Sequence, residues 1–103
     1  EKYFEKRILY YWSKLYSKSL NKGSKYKELK KIYSINFTEF NFLKTSNYHS
    51  LFHLREKIDA EILLTEDLEI HIIELPKFHA ELQRLNSDFE SWIFVLKNGH
   101  ELK

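Results

Sequence analysis

The spacing of apolar residues changes at Gly23, and that change limits the folds open to this chain more than any other feature. Before it, Phe4, Ile8, Tyr11, Trp12 and Leu15 recur three and four residues apart, joined by Leu9, Tyr16 and Leu20, which predicts a long helix over residues 3–22. The stripe is wide, so the helix is expected to be covered on more than one side, with Lys2, Lys6, Ser13 and Ser17 facing solvent. Asn21-Lys22-Gly23 ends it, Gly23 taking the left-handed conformation after the last turn.

Beyond Gly23 the period falls to two. Residues 24–31 read as a short helical turn or loop with Tyr26 and Leu29 inward, leading to a strand over Ile32 to Thr38. Tyr33, Ile35 and Phe37 share one face of that strand, and Ile32, Ser34, Asn36 and Thr38 share the other. A polar loop over 41–47 precedes a second strand, 48–56, in which Tyr48, Phe52 and Leu54 oppose His49, His53 and Arg55. A third strand, 68–75, sets Leu68, Ile70 and Ile72 against Glu69, His71 and Ile73, and Pro76 closes it. Residues 57–67 hold a brief strand or a turn around Ile62-Leu63-Leu64.

The C-terminal part returns to helical spacing in two pieces. Phe78, Leu82 and Leu85 mark one face of a helix over 77–86. Ser87-Asp88-Phe89-Glu90 is a capping box that starts another, with Phe89, Trp92, Ile93 and Leu96 as its stripe and Asn98-Gly99 as its stop. The expected fold is α+β: a long N-terminal helix, a small sheet of about three to four strands and two C-terminal helices.

At 103 residues one hydrophobic core, and so a single domain over 1–103, is expected. Seven Tyr, eight Phe and two Trp supply the area to build it. No stretch has the ~18 to 20 consecutive apolar residues of a membrane helix, and Glu1-Lys2-Tyr3-Phe4 is not a signal peptide. The absence of Cys fits a reducing compartment, so a cytoplasmic location is expected. The chain starts at Glu1 and contains no Met, so it is expected to be a segment of a longer protein.

Charge is unevenly spread. Residues 1–31 hold ten Lys and Arg against Glu1, Glu5 and Glu28, a net +7, which leaves −5 for the rest of a chain whose total is +2. On the first helix Arg7, Tyr11, Lys14 and Lys18 form a basic, aromatic-bearing line suited to the phosphates and bases of a nucleic acid. The alternatives are a solvated helix face or a cap on a neighbouring sheet.

Other chemistry is sparse. His49 and His53 would share a metal ion on a helix, but on a strand they stand ~13 Å apart. With only Gly23 and Gly99 there is no glycine loop to cradle phosphate, and no nucleophile elbow occurs. The acidic pairs Glu66-Asp67 and Glu56 with Asp59 read as solvated turns rather than magnesium ligands.

Arg7-x-x-Tyr10-Tyr11-x-x-x-Leu15-Tyr16, followed by Leu20-x-x-Gly23-x-x-Tyr26-x-x-Leu29, resembles the C-terminal half of the recombination-promoting nuclease and transposase family. Residues 32–36, 48–56 and 64–78 are similar to that family's later blocks, so the resemblance runs from about residue 4 to residue 97. It implies a partial core of the PD-(D/E)XK nuclease superfamily, whose members hydrolyse DNA phosphodiesters with magnesium held by carboxylates on a β-hairpin. In that family the hairpin precedes the helix that begins here, so the catalytic hairpin is expected to be missing and the chain to hold no cofactor itself. Glu74-Leu75-Pro76-Lys77 has the wrong spacing to replace it, and Glu69-Ile70-His71 lacks the Lys or Gln. Lys31 stands where the family pattern has Pro.

By the same resemblance Arg7, Tyr10 and Tyr11 lie near the edge of the missing site, with Arg7 contacting phosphate or a catalytic carboxylate. Two functions are then expected to compete. One is a non-catalytic region that serves assembly or regulation of the nuclease, as a homodimer or bound to the full-length enzyme. The other is a DNA-binding module built on the first helix. No catalytic residue and no metal ligand is expected within the chain.

Overall fold

The computed structural model describes residues 2–23, 25–79 and 87–98. Its elements are helix α1 (Phe4–Lys18), strands β1 (Ile32–Thr38), β2 (His49–Arg55) and β3 (Leu63–Glu74), and helix α2 (Asp88–Asn98). Short 3-10 turns occupy Tyr26–Glu28 and Leu75–Lys77. The three strands form one sheet in the order β1-β3-β2. The fold is therefore α+β, consistent with a partial PD-(D/E)XK-like core, and two compact units divide the chain.

The first unit takes residues 1–36 and 51–71. Its buried apolar residues are Phe4 and Ile8 from α1 and Leu68 and Ile70 from β3. The inward line of α1 continues through half-buried Trp12 and Tyr16. Trp12 Nε1 donates to the Ile32 carbonyl at 3.1 Å, and the Tyr16 hydroxyl donates to Asp67 Oδ2 at 2.8 Å. This i, i+4 line differs from the predicted one: Leu9, Tyr11 and Leu15 are each more than half exposed. The helix also ends at Lys18, one turn before residue 22. There the Ser19 hydroxyl donates to the Tyr16 carbonyl and accepts from the Lys30 amide, turning the chain away early. Gly23 does take the left-handed conformation, at φ 85°.

β1 and β3 alternate as the sequence implies, whereas on β2 Phe52 and Leu54 are exposed and His49 and His53 are half-buried, so the exposed sides are not all polar. On β1 Tyr33 and Ile35 are exposed, whereas Ser34 and Asn36 are half-buried, and Asn36 Nδ2 donates to the His71 carbonyl at 3.1 Å. β3 begins at Leu63 rather than Leu68 and absorbs the segment expected to be a separate strand or turn. The turn between β2 and β3 is closed by a bond from the Glu56 amide to the Ile62 carbonyl at 2.9 Å. So short a connection makes β2 and β3 an antiparallel hairpin.

The second unit takes residues 37–50 and 72–103. Ile73, Leu75, Phe78 and Ile93 form its core, with Tyr48 and Phe94 packed against them. Tyr48 meets Phe78 edge-on at 5.0 Å between ring centroids, an arrangement favoured by the ring quadrupoles. The expected helix over 77–86 does not start where the spacing put it. Pro76 supports a 3-10 turn, the Phe78 amide closes that turn on the Leu75 carbonyl, and Phe78 is extended and buried. Residues 80–86 lie outside the described residues. For α2 the Glu90 amide donates to Ser87 Oγ at 3.1 Å, the first half of the predicted capping box. Of its predicted stripe only Ile93 is buried; Phe89, Trp92 and Leu96 are exposed.

Candidate nucleic-acid interface

Arg7, Tyr11, Lys14 and Lys18 are all exposed on α1. At 3.6 residues per turn they fall within an arc of ~60°, and Arg7 and Lys18 are ~16 Å apart along the axis. Aromatic rings support two of the cations: Arg7 lies 5.9 Å from the Phe4 ring centroid and Lys14 5.9 Å from that of Tyr10. Tyr10 and Tyr11 meet edge-on at 5.3 Å. Three cations and a phenol on one open arc can pair with successive phosphates and stack on a base.

A second cluster lies in the same unit. Glu69 on β3 accepts from Lys31 Nζ at 3.0 Å, shares a bond of 3.2 Å with His53 Nε2, and shares one of 2.7 Å with His71 Nε2. These bonds, led by that from His71 and followed by those from His53 and Lys31, draw the Glu69 carboxyl down to about 2. Arg55 approaches His53 Nδ1 at 3.4 Å from its other side, and a guanidinium can only donate. Lys31 also lies 4.6 Å from the Tyr33 ring centroid. The i, i+2 relation of Glu69 and His71 was readable from the sequence. The arrival of Lys31 and His53 was not, because nothing in one strand states which residue of its neighbour stands opposite.

In the second unit Glu74 is fully buried at the end of β3. Its Oε2 accepts from Lys77 Nζ at 2.8 Å and from the Phe42 and Leu43 amides at 2.6 and 3.1 Å. Lys77 Nζ donates in turn to the Leu43 carbonyl at 2.7 Å. Burial alone would raise the Glu74 carboxyl, but Lys77 and the two amides outweigh it and hold it below the ordinary glutamate value. Glu74-Leu75-Pro76-Lys77 thus ties the loop after β1 to the end of β3. His49, on β2, lies beside the Phe89 ring at 5.2 Å.

Magnesium, implied by the sequence resemblance, does not fit these carboxylates. It needs open carboxylate oxygens together with water or phosphate, whereas both Glu69 oxygens and Glu74 Oε2 face ammonium, imidazole or amide donors. Among the described residues no group of three or more His, Asp or Glu is arranged to hold a metal ion. No helix of the described residues is long and apolar enough to cross a membrane.

The profile of the PD-(D/E)XK nuclease family transposases matches residues 1–103, the whole chain, and the chain belongs to that family. No curated protein and no solved structure matches it.

Proposed function

We propose that the chain is a non-catalytic region of a PD-(D/E)XK-type DNA nuclease and serves its assembly in the cytoplasm, by pairing with a second copy or with the full-length enzyme. One observation carries this reading: Leu9, Tyr11 and Leu15 on α1 and Tyr33 and Ile35 on β1 are 52–58% exposed. Single exposed apolar residues are ordinary on any protein surface, but repeated ones on two elements of one unit leave apolar surface that a partner would cover. Charge supports a like partner, since the +7 of residues 1–31 faces −5 elsewhere on each copy. Sedimentation velocity over a range of chain concentrations tests the reading. A reversible monomer–dimer equilibrium is expected, and Leu15→Lys should weaken it. A monomer at every concentration would exclude self-assembly.

A DNA-binding module is the second reading, favoured by the open arc of Arg7, Tyr11, Lys14 and Lys18. Each phosphate contact contributes about −0.9 to the slope of log affinity against log salt. Duplex affinity measured by anisotropy should therefore show a slope of roughly −2 to −3, and Lys14→Glu with Lys18→Glu should remove about 2 of it. A duplex that fails to bind at low salt would leave assembly as the better account.

A further inference from the structure

Apolar side chains also stand uncovered at the outer end of the β2–β3 hairpin. Ile58 in its turn is 93% exposed, Leu64 78%, Ile62 55% and Leu54 41%. Leu54, Ile62 and Leu64, with Arg55 and Glu56, line an open cleft of about 250 Å³. That is below the ~300–1,000 Å³ of small-molecule sites, so the cleft suits one or two protein side chains better than a cofactor.

The segment that carries the cleft is acidic, while the cleft lining itself holds one Arg and one Glu. Residues 55–69 contain Arg55 and Lys57 against Glu56, Asp59, Glu61, Glu66, Asp67 and Glu69, a net −4. Asp67 and Glu69 are occupied by Tyr16 and Lys31, which leaves Glu56, Asp59, Glu61 and Glu66 exposed. The opposite arrangement exists on α1. There Tyr11 and Leu15 are each more than half exposed, and Lys14 and Lys18 border them on the same side of the helix.

From these complementary surfaces we infer that the hairpin end of one copy receives Tyr11 and Leu15 of a second copy, with that copy's Lys14 and Lys18 against Glu61 and Glu66. The inference rests on the assembly reading and names its surface. If the two copies do this reciprocally, each contact occurs twice about a two-fold axis and the pair closes as a dimer. Burying Ile58 and Leu64 would remove the most exposed aliphatic side chains of the unit from water.

The chain has no Cys, so Ile58→Cys and Leu15→Cys each supply a single thiol on an exposed site. The two variants, one carrying a mass tag, are mixed in equal amounts and oxidised. The mixed disulfide should exceed the roughly one half that random pairing gives, because only close Cβ pairs can bridge. In parallel, Lys14→Glu with Lys18→Glu should weaken the dimer by about tenfold, and mixing that variant with Glu61→Lys plus Glu66→Lys should restore most of the affinity. A dimer with random disulfide pairing and no charge rescue would overturn this surface while leaving assembly intact. A chain that sediments as a monomer would overturn both. A double Lys reversal that abolishes duplex binding but leaves the dimer unchanged would assign α1 to DNA and also overturn the inference.

Discussion

Two glutamates on β3 show how residue type and surroundings set behaviour. Glu69 keeps its charge far into acid because three donors converge on it, and its carboxyl stands at about 2 against an ordinary 4.5. Between those values the unfolded chain takes up a proton that the folded chain refuses. Stability from this group is complete above pH 4.5 and is lost as pH falls toward 2. Glu69→Gln should therefore lower the melting temperature at pH 7 and flatten the acid limb of a melting-temperature profile. An unchanged profile below pH 5 would contradict the cluster. Glu74 is buried and held by an ammonium and two amides, so Glu74→Ala strands those donors and should cost about 3–5 kcal/mol in urea denaturation. An effect below ~1 kcal/mol would show that the loop and strand end are held by other contacts. The Glu69–His71 spacing was visible in the sequence, as was the Glu74–Lys77 pair. Their partners Lys31, His53, Phe42 and Leu43 come from distant segments, and a linear pattern does not carry that register.

At the scale of elements the sequence was most informative where one period ran uninterrupted. α1, β1 and β2 lie within a few residues of their predicted spans. β3 was half legible: Leu68 to Ile72 alternate cleanly, but Leu63-Leu64 and Glu66-Asp67 break the period, and pairing with β2 rather than polarity makes them strand. On α1 so many positions are apolar that the spacing permits more than one inward face. Trp12 and Tyr16 settle it, because their polar ends find Ile32 and Asp67. The same ambiguity left Trp92 and Leu96 exposed on α2, with Ile93 as its anchor. Ile93→Ala should destabilise the second unit by about 2–5 kcal/mol, whereas Trp92→Ala should change stability by less than ~1 kcal/mol. Equal losses from the two variants in chemical denaturation would mean that α2 packs by a different face.

Across the whole chain, family membership and the arrangement of exposed groups bear on function together. The family links the chain to PD-(D/E)XK nucleases, while Glu69 and Glu74 are engaged by lysines, histidines and amides. Apolar residues on α1, β1 and the hairpin remain uncovered, and opposite charges sit beside two of these surfaces. The sequence led to an expected homodimer, but which apolar residues stand exposed was not legible in it, since the same apolar stripe serves a core or an interface. Concentration-dependent sedimentation of the chain tests the account at its centre. Twice the mass of one chain at micromolar concentration, falling toward one on dilution and in high salt, is the predicted result; a single-chain mass throughout would contradict it.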